Sequence, residues 1–502
     1  MRPGECGQPV LVRELIAELE TASIEPVAAN IPRVESVRPE SVSRAVVARL
    51  NRLGTDSRNL ARAVAVLESA SVRQASNLCG LGGARALRAA DRLISAQILA
   101  RTSTLSFVHP LLQLAVYERI PAAARADGHR RAGLLLAAEG TRSTRVGAHL
   151  MRGEPAGDHA VVALLRDAAR EALTDGAPHT AIRFLRRALR EPPDAELRGA
   201  VLGELGEAEA LARDPSATEH LREALTLVGD PAMRVRLACA LSEALTWDGR
   251  LSDAHAAAVR ILEDLSPDVP LSLRAVLETL RTAAASVDGR LVAEVEPRLP
   301  ALRDLAREAG AAGRGLLVLD ACWQALRGPY SGDWRALLDA GLDGGRLVTD
   351  GLSGPQMARY ATAALVFTDE FGRAREQIAS VGADTVSRGS VNGYLSGRTW
   401  DALLRLRSGQ VTQAEAEARD AIAFALRHRV SWAHVWLAGI LAAALLERGA
   451  LTQPTGCSRT SRLKSPRRRP RRIMRCSCWA GCVSSRPVPP RLWRRCARRA
   501  RA

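Results

Sequence analysis

The feature that most constrains the fold is a set of short polar turns that interrupt helical sequence at nearly even intervals. Between about Asp158 and Gly449, apolar residues recur at positions i, i+3, i+4 and i+7, which is the period of an amphipathic helix. The turns are 36 to 43 residues apart and lie at Gly176, Arg213-Asp214, Gly249, Gly289, Gly332, Gly372, Gly409 and Gly449. Such a period indicates stacked pairs of helices, because one pair cannot bury its apolar face alone. An irregular helical bundle is the alternative.

Small residues follow several of these turns at a fixed distance. An alanine lies five residues after the glycine in three of them, at Ala181, Ala254 and Ala414. A small side chain there lets the second helix of a pair approach the first closely. Strand patterns are almost absent from this part of the chain. The sequence therefore predicts an all-α protein, with a tetratricopeptide-like solenoid of helical pairs over residues 136–453.

Residues 26–135 have a different pattern, in which helices lead into a short strand. Helical segments are predicted at Val42–Leu53, Leu60–Leu67, Val72–Leu81 and Ala84–Leu99, with a strand in the stretch TLSFVHP that ends at Pro110. This order is typical of a winged-helix-like module. The last of these helices carries Arg85, Arg88 and Arg92, as a DNA-binding helix would, but Asp91 and many Leu and Ile residues lie among them. We therefore interpret the module as structural.

The charge is divided sharply along the chain. The formal net charge is +17, which by itself suggests a nucleic-acid partner. From Cys457 on, however, the sequence has 16 Lys and Arg and no Asp or Glu, which leaves 55 cations and 54 anions in residues 1–456. The excess thus belongs to a basic, Cys- and Arg-rich tail, residues 454–502, which is predicted to be disordered. The rest of the chain gives no electrostatic reason to expect nucleic-acid binding.

No catalytic constellation or metal site is recognisable in the sequence. The only lysine is Lys464, and no glycine-rich phosphate-binding loop precedes it. The nine histidines are dispersed, and the tail cysteines have neither the usual spacing of a zinc site nor a histidine among them. His109, which precedes Pro110, is expected to be a structural hydrogen-bonding residue. We therefore expect a protein that is not an enzyme, with no catalytic and no metal-binding residues.

Two tryptophans near the end of the helical region are candidates for a ligand groove. Trp432 and Trp436 are four residues apart and so lie on one face of a predicted helix. Aromatic side chains on one face can line a groove that binds an effector. The alternative is that they form part of the hydrophobic core.

The sequence has no feature of a membrane or secreted protein. The first 20 residues lack the apolar core of a signal peptide, and the longest apolar run, Trp436–Leu446, is shorter than the roughly 18 residues of a spanning helix. We therefore expect a soluble cytoplasmic protein with no membrane partner.

Three stretches resemble the large LuxR-type transcriptional regulators that carry a signal-transducing ATPase (STAND, AAA) module and are related to the maltose regulator type. Gly7–Leu19, GQPVLVRELIAEL, is similar to GNPFLVRELL of that family, and the stretch from Gly176, GAPHTAIRFLRRAL, is similar to GAPxxAxxYLRRAL. Phe107–Leu136 is similar to FRHPLVREAVYxxLPxxxRxxLHRRxAxLL. Its matching residues are Phe107, His109, Pro110, Val116, Tyr117, Pro121, Arg125, His129, Arg130 and Arg131. The resemblance covers residues 1 to about 453.

The resemblance implies a winged helix and a tetratricopeptide-like sensor array between an ATP-binding module and a DNA-binding helix-turn-helix. Residues 1–25 would then be the C-terminal remnant of the nucleotide-binding module. Gly7, Gln8 and Pro9 would correspond to a turn near adenine, although a helix with proline near its start fits them equally well. Since the phosphate-binding loop, its lysine and the magnesium ligands are missing, we expect no cofactor for this chain, with ATP and DNA bound only by the intact family.

The predicted function is accordingly that of a fragment of an ATP-dependent LuxR-family regulator that keeps the sensing repeats. Its expected partner is a protein or small-molecule effector on the repeat array, and it could form a homo-oligomer. The alternative is a stand-alone helical-repeat adaptor with no regulator ancestry.

The tail has the composition of a GC-rich coding sequence read out of frame. Back-translated with G or C in third positions and read one base earlier, Ile473–Val483 becomes His-Ala-Leu-Leu-Leu-Leu-Gly-Arg-Leu-Arg-Leu, which is an amphipathic helical pattern. The same frame entered at the last base of Gln453 gives a string such as Ala-Asp-Arg-Leu-Leu-Ala, depending on the codons used. We therefore expect a frameshift near Gln453 or Pro454, with more repeats beyond it. The alternative is a genuine basic arm. As written, the chain is expected to leave an apolar helix face exposed.

Overall fold

The computed structural model describes residues 47–101, 103–191, 193–327, 333–350, 353–387 and 389–449. These residues are predominantly helical, which confirms the all-α class. They form two compact units. Unit 1 runs to Glu171 and includes Phe184–Pro193, and unit 2 comprises Ala172–Arg183 and the chain from Asp194 on. The predicted segments 1–25 and 454–502 lie outside the described residues.

Unit 1 combines helices with a small antiparallel sheet. Its elements are α1 (Thr55–Leu67), β1 (Ser69–Ala70), α2 (Val72–Cys79), α3 (Gly83–Ser95), β2 (Leu99–Arg101), β3 (Leu105–Phe107), α4 (Pro110–Glu118), α5 (Ala122–Ala138) and α6 (Ser143–Leu150). The strand order is β1-β3-β2, and Leu99 pairs with Phe107. The helix predicted over Ala84–Leu99 therefore ends earlier than expected. Gln97 adopts a positive φ of 54°, which stops the helix, and Leu99 begins a strand.

Local hydrogen bonds explain where the helices of unit 1 begin. Ser71 and Gln74 form a capping box at the start of α2, each side chain bonding the other residue's backbone N–H. Nδ1 of His109 accepts a hydrogen bond from the backbone N–H of Leu111 (3.1 Å) at the start of α4. His109 therefore has a structural contact of the kind predicted for it.

The domain boundary predicted at residue 135 falls inside a helix. Helix α5 runs without interruption from Ala122 to Ala138, and the two compact units divide farther along the chain. The next two helices, α7 (His159–Thr174) and α8 (Pro178–Arg190), each contribute residues to both units.

A buried carboxylate fixes the loop before α7 in unit 1. Oε2 of Glu191 accepts hydrogen bonds from the backbone N–H groups of Ala156 (2.7 Å), Gly157 (2.6 Å) and Asp158 (3.2 Å). Its other oxygen lies 2.9 Å from Nη1 of Arg187, in an ion pair whose side chains are only 3% and 1% exposed. Burial acts to raise the pKa of Glu191, but the three backbone donors and Arg187 outweigh it and lower that pKa.

Unit 2 contains the helical array, by which we mean α9 to α22. Its helices are α9 (Ala195–Ala212), α10 (Ala217–Leu227), α11 (Pro231–Trp247), α12 (Leu251–Asp264), α13 (Leu271–Val287), α14 (Leu299–Glu308), α15 (Arg314–Arg327), α16 (Trp334–Leu342), α17 (Arg346–Asp350), α18 (Gly354–Phe367), α19 (Phe371–Ser387), α20 (Val391–Arg407), α21 (Val411–Arg427) and α22 (Ser431–Glu447). Short 3-10 turns interrupt its middle part at Val292–Glu294, Glu296–Arg298, Gly310–Gly313 and Asp343–Gly345.

Helices of the array pack against their neighbours in sequence and also against alternate helices. Helix α20 contacts α21, and it also contacts α18 and α22; α11 likewise contacts α12, α9 and α13. A large apolar core lies in the second half of the array and includes Trp334, Leu395 and Leu437, each at most 1% exposed. The alanines Ala254 and Ala414, which follow predicted turns, are fully buried at helix contacts. The burial of these alanines is consistent with the small-residue helix contacts predicted for them.

Left-handed residues end many of the helices. Gly249, Gly409 and Gly449 have φ values of 72°, 82° and 68°, a conformation that glycine adopts without steric cost. The turn predicted at Gly372 lies three residues earlier, because Asp369 adopts φ 64° and Gly372 is already inside α19. The turn predicted at Gly332 lies outside the described residues.

Candidate functional site

The array brings two distant tryptophans together. Trp247 ends α11 and Trp432 begins α22, and their ring centroids are 4.8 Å apart at an interplanar angle of 32°. The two residues are 185 positions apart in sequence. Together with Glu243, Arg359 and Asn392 they form a group of side chains that we call the Trp cluster. It is the candidate functional site of unit 2.

A cation and a carboxylate complete one side of the Trp cluster. The guanidinium carbon of Arg359, on α18, lies 4.4 Å from the centroid of the Trp247 ring, within the range of a cation–π interaction. Nη1 of Arg359 lies 3.4 Å from Oε1 of Glu243, and the indole N–H of Trp247 donates to the same oxygen at 3.3 Å. Glu243 and Trp247 are four residues apart on α11, so one helix face presents both.

Trp432 is held by an amide on α20. Its indole N–H donates a hydrogen bond to Oδ1 of Asn392 at 3.1 Å, and Asn392 is only 6% exposed. Trp432 is partly buried and packs against the large apolar core of unit 2. These contacts fix its ring in one orientation, because a buried amide oxygen without a donor would be costly.

Two further contacts join early and late helices of the array near the Trp cluster. Arg213, which caps α9 with φ 60°, donates from its guanidinium to the backbone carbonyls of His428 (2.6 Å) and Arg429 (3.2 Å). These carbonyls lie at the end of α21, where the helix dipole is negative and favours a cation. The hydroxyl of Tyr360 donates to the carbonyl of Ala283 at 2.7 Å, and burial raises the pKa of Tyr360.

The structure places the two predicted groove residues in different surroundings. Trp432 lies in the Trp cluster, whereas Trp436, one helical turn later, has 37% of its surface exposed. The aromatic partner of Trp432 is therefore Trp247 and not Trp436. Gly7, Gln8 and Pro9, the candidate nucleotide-side residues, lie outside the described residues.

The side chains of the Trp cluster limit the chemistry that it can perform. It offers two indole rings, a guanidinium and a carboxylate, in which Trp247 contacts Trp432, Arg359 and Glu243, and none of them is a nucleophile next to a base. Within the described ranges, no group of three or more His, Cys, Asp and Glu could hold a metal ion. In the same part of the chain, no helix combines the length and apolar character that crossing a membrane requires.

In unit 1, three side chains form a buried chain of hydrogen bonds. Two of them, Tyr117 and His129, belong to Phe107–Leu136, the segment that resembles the regulators. The hydroxyl of Tyr117 lies 2.8 Å from Nε2 of His129, and Nδ1 of His129 lies 3.0 Å from Nδ1 of His149. The two histidines are 0% and 5% exposed. Burial lowers the pKa of each to about 4, and for His129 the neighbouring His149 adds to this effect. Both rings are therefore neutral at pH 7.

Other residues of that segment also connect elements of unit 1. The guanidinium of Arg125 lies 4.9 Å from the centroid of the Tyr117 ring, Arg131 donates to the carbonyl of Leu78 at 2.6 Å, and Arg130 pairs with Asp158 at 2.5 Å. The segment thus acts through packing and hydrogen bonding between helices. The residues named here thus have structural partners within unit 1.

Several of these residues had no signal in the sequence. Glu243, Trp247 and Arg359 follow no motif, and their meeting with Trp432 depends on how the twelve helices from α11 to α22 pack in succession. His149 carries no spacing signal relative to His129. Comparison of the chain with protein-family models, with curated proteins and with solved structures finds no match.

Proposed function

We propose that the chain is the signal-sensing part of a large LuxR-type transcriptional regulator with a signal-transducing ATPase module. The observation that carries the proposal is the element order of unit 1. A helix, a strand, two helices and two strands with sheet order β1-β3-β2 follow the connectivity of a winged helix. The segment that resembles the regulators, Phe107–Leu136, begins in the last strand of this module.

The winged helix serves as a structural connector in this proposal. Its third helix, α3, is the one that would enter a DNA groove. On that helix Arg85 is already paired with Asp56, with a shortest distance of 2.6 Å, and Leu87 is 47% exposed beside the carboxylate Asp91. An apolar side chain and a carboxylate on this face oppose contact with phosphates. DNA binding is assigned to the helix-turn-helix of the intact family.

The helical array is the sensor in this proposal, as a tetratricopeptide-like stack of helical pairs. Contacts between alternate helices support stacked pairs, since unpaired helices of an irregular bundle do not repeat such contacts in order. The effector, a protein or a small molecule, would act on the array at the Trp cluster. There it would compete for Trp247 or for the cation of Arg359. The regulator would work in the cytoplasm and could form a homo-oligomer.

Two measurements test the proposal. The DNA on both sides of the gene should encode a phosphate-binding loop upstream and a LuxR-type helix-turn-helix downstream; if both are missing, the chain is a stand-alone adaptor and the proposal fails. Calorimetric titration of the purified chain with ATP should give no heat of binding, because the chain has no phosphate-binding loop. Tight ATP binding would contradict the proposal that this chain senses the effector and that the ATPase module binds the nucleotide.

A further inference from the structure

The turn between α21 and α22 is held by helices from the opposite end of the array. We call α9 to α12 the early helices and α18 to α22 the late helices. Arg213, at the end of α9, donates to the backbone carbonyls of His428 (2.6 Å) and Arg429 (3.2 Å). The ring of Trp247, at the end of α11, lies against the ring of Trp432, with centroids 4.8 Å apart. Residues 428–432, which receive these contacts, are called the seated turn below.

A second pair of turns in unit 2 meets in the same order. A Cβ added to Gly389, between α19 and α20, would lie only 2.6 Å from the carbonyl oxygen of Gly176, so these two turns are in direct contact. This contact joins positions 213 residues apart, and the contact of Arg213 with His428 joins positions 215 residues apart. Two successive turns near the start of unit 2 therefore meet two successive turns near its end.

The early and late helices belong to separate apolar cores. The core that contains Leu395 and Leu437 includes no described residue of α9 to α12, and the core that contains Val235 and Ile261 includes no described residue of α18 to α22. Helices α9 and α20 are the early and late helices whose backbones pack closely. The seated turn is therefore held largely by its own polar and aromatic contacts, and its release leaves both cores buried.

The early helices present three different chemical groups at this place. Arg213 offers a guanidinium, Glu243 a carboxylate and Trp247 an indole ring, and we call these three side chains the docking surface. Glu243 lies 3.4 Å from the guanidinium of Arg359 on α18 and accepts the indole N–H of Trp247 at 3.3 Å. Burial lowers the pKa of Arg213, so its guanidinium is partly removed from water and depends on the carbonyl acceptors of the seated turn.

The seated turn matches this surface group by group. Its carbonyls stand at the C-terminal end of α21, where the negative end of the helix dipole favours a guanidinium. Trp432, three and four residues after these carbonyls, supplies the ring that Trp247 contacts. Any segment in which a helix end with open carbonyls precedes an aromatic residue at this spacing could make the same contacts. The internal contact thus defines a class of peptide ligand.

We propose that the docking surface binds a segment of a partner protein, and that the seated turn is the internal occupant which this segment displaces. The partner segment is a helix C-terminus followed, three or four residues later, by an aromatic side chain. The proposal deepens the proposed function and rests on it in one respect, that the array senses an effector; it specifies that effector as a protein. Because the internal occupant is present at an effective concentration on the order of millimolar, it hides the surface from weak ligands.

The test uses a labelled synthetic peptide with the sequence of Ala421–Leu437, which contains the seated turn. Its binding to the full chain and to the full Trp432→Ala variant is measured by fluorescence anisotropy, after circular dichroism has shown that the variant is folded. The variant has lost the ring that occupies the surface, so it should bind the peptide at least tenfold more tightly than the unmodified chain. Equal affinity of the two chains would overturn the proposal.

Two further comparisons locate the bound peptide. A peptide with alanine at the position of Trp432 should bind the Trp432→Ala chain at least tenfold more weakly than the original peptide. Adding Arg213→Ala to that chain should weaken binding of the original peptide by a similar factor. Arg250→Ala is the matched control and should have no effect, because Arg250 lies at the next turn and pairs with Asp253. Equal effects of the two arginine substitutions would show that the peptide binds elsewhere, which overturns the assigned surface.

Trp432→Phe keeps the proposal falsifiable if the alanine variant does not fold. Phenylalanine retains a ring beside Trp247 but removes the N–H that Asn392 accepts, so the affinity for the peptide should lie between those of the other two chains. An affinity no higher than that of the unmodified chain would overturn the proposal. Such a failure leaves the regulator assignment to its own tests, the flanking genes and the titration with ATP. If those tests fail and the peptide binds, the docking surface is that of an adaptor.

Discussion

Replacing Trp432 by alanine should destabilise unit 2 mainly through the contacts of the Trp cluster. The substitution removes the ring contact with Trp247 at 4.8 Å and leaves Oδ1 of the buried Asn392 without its 3.1 Å donor. Truncation of a core tryptophan costs about 3–5 kcal/mol, and Trp432 is only partly buried. We expect a loss of about 3 kcal/mol, of which the unpaired amide oxygen accounts for about 1 kcal/mol or more.

Trp436 provides a matched control on the same helix. Because its side chain is 37% exposed, Trp436→Ala should cost only about 1 kcal/mol. Trp432→Phe should lie between the two, since it keeps an aromatic ring beside Trp247 but removes the N–H that Asn392 accepts. The measurement is urea denaturation followed by far-UV circular dichroism, because indole fluorescence would change with the substitution itself.

A double-mutant cycle isolates the contact between the two rings. Trp247→Ala and Trp432→Ala should be non-additive by about 0.5–1.5 kcal/mol, which is the usual size of an aromatic pair interaction. Additivity within about 0.3 kcal/mol, together with equal costs for Trp432→Ala and Trp436→Ala, would refute the view that α11 and α22 are held together by this contact.

Two predictions concern unit 1. Glu191→Ala leaves three backbone N–H groups of residues 156–158 and the buried Arg187 without their acceptor, so stability should fall by about 3–5 kcal/mol and the three amides should exchange faster by more than tenfold. Unchanged exchange would mean that the carboxylate does not hold this loop. The pKa values of His129 and His149, both lowered to about 4, mean that the unfolded chain binds protons between pH 6.5 and 4 that the folded chain does not. Stability should therefore decrease on acidification through this range, by up to about 3 kcal/mol per histidine, and urea denaturation at several pH values should show it; a flat profile would contradict the neutral buried pair.

The features that sequence reasoning predicted are those that local chemistry determines. Turn glycines such as Gly249 and Gly409 are visible because only a residue that tolerates positive φ ends a helix in this way. Asp369 takes the same conformation with a side chain that gives no comparable signal, so the turn was assigned to the nearby Gly372. Strands β1 and β2 are two and three residues long, too short for any period to be recognised.

The Trp cluster could not be predicted from local sequence patterns, because the distance between Trp247 and Trp432 depends on the packing of all the helices between them. The meeting of Trp247 and Trp432 depends on how each of the helices between α11 and α22 packs on the others. Residue types alone do not encode that packing. For the same reason, sequence patterns could not predict that Arg213 donates to the carbonyl of His428, which lies 215 residues away in the sequence.

Under the proposed function, the same dependence would let the array transmit a signal. Helix α11 contacts α22, and α9 contacts the end of α21. The helices between them in sequence are therefore linked at both ends of the stretch they form. An effector that changes the packing angle of any intervening pair must strain or break these contacts, because packed helices shift between discrete arrangements and do not deform continuously. A contact that contributes about 1 kcal/mol to stability is weak enough for the binding of a single effector to break it. In the proposed sensor, the Trp cluster is thus the contact that an effector breaks when it competes for Trp247 or Arg359, and its breakage would change the packing of the array.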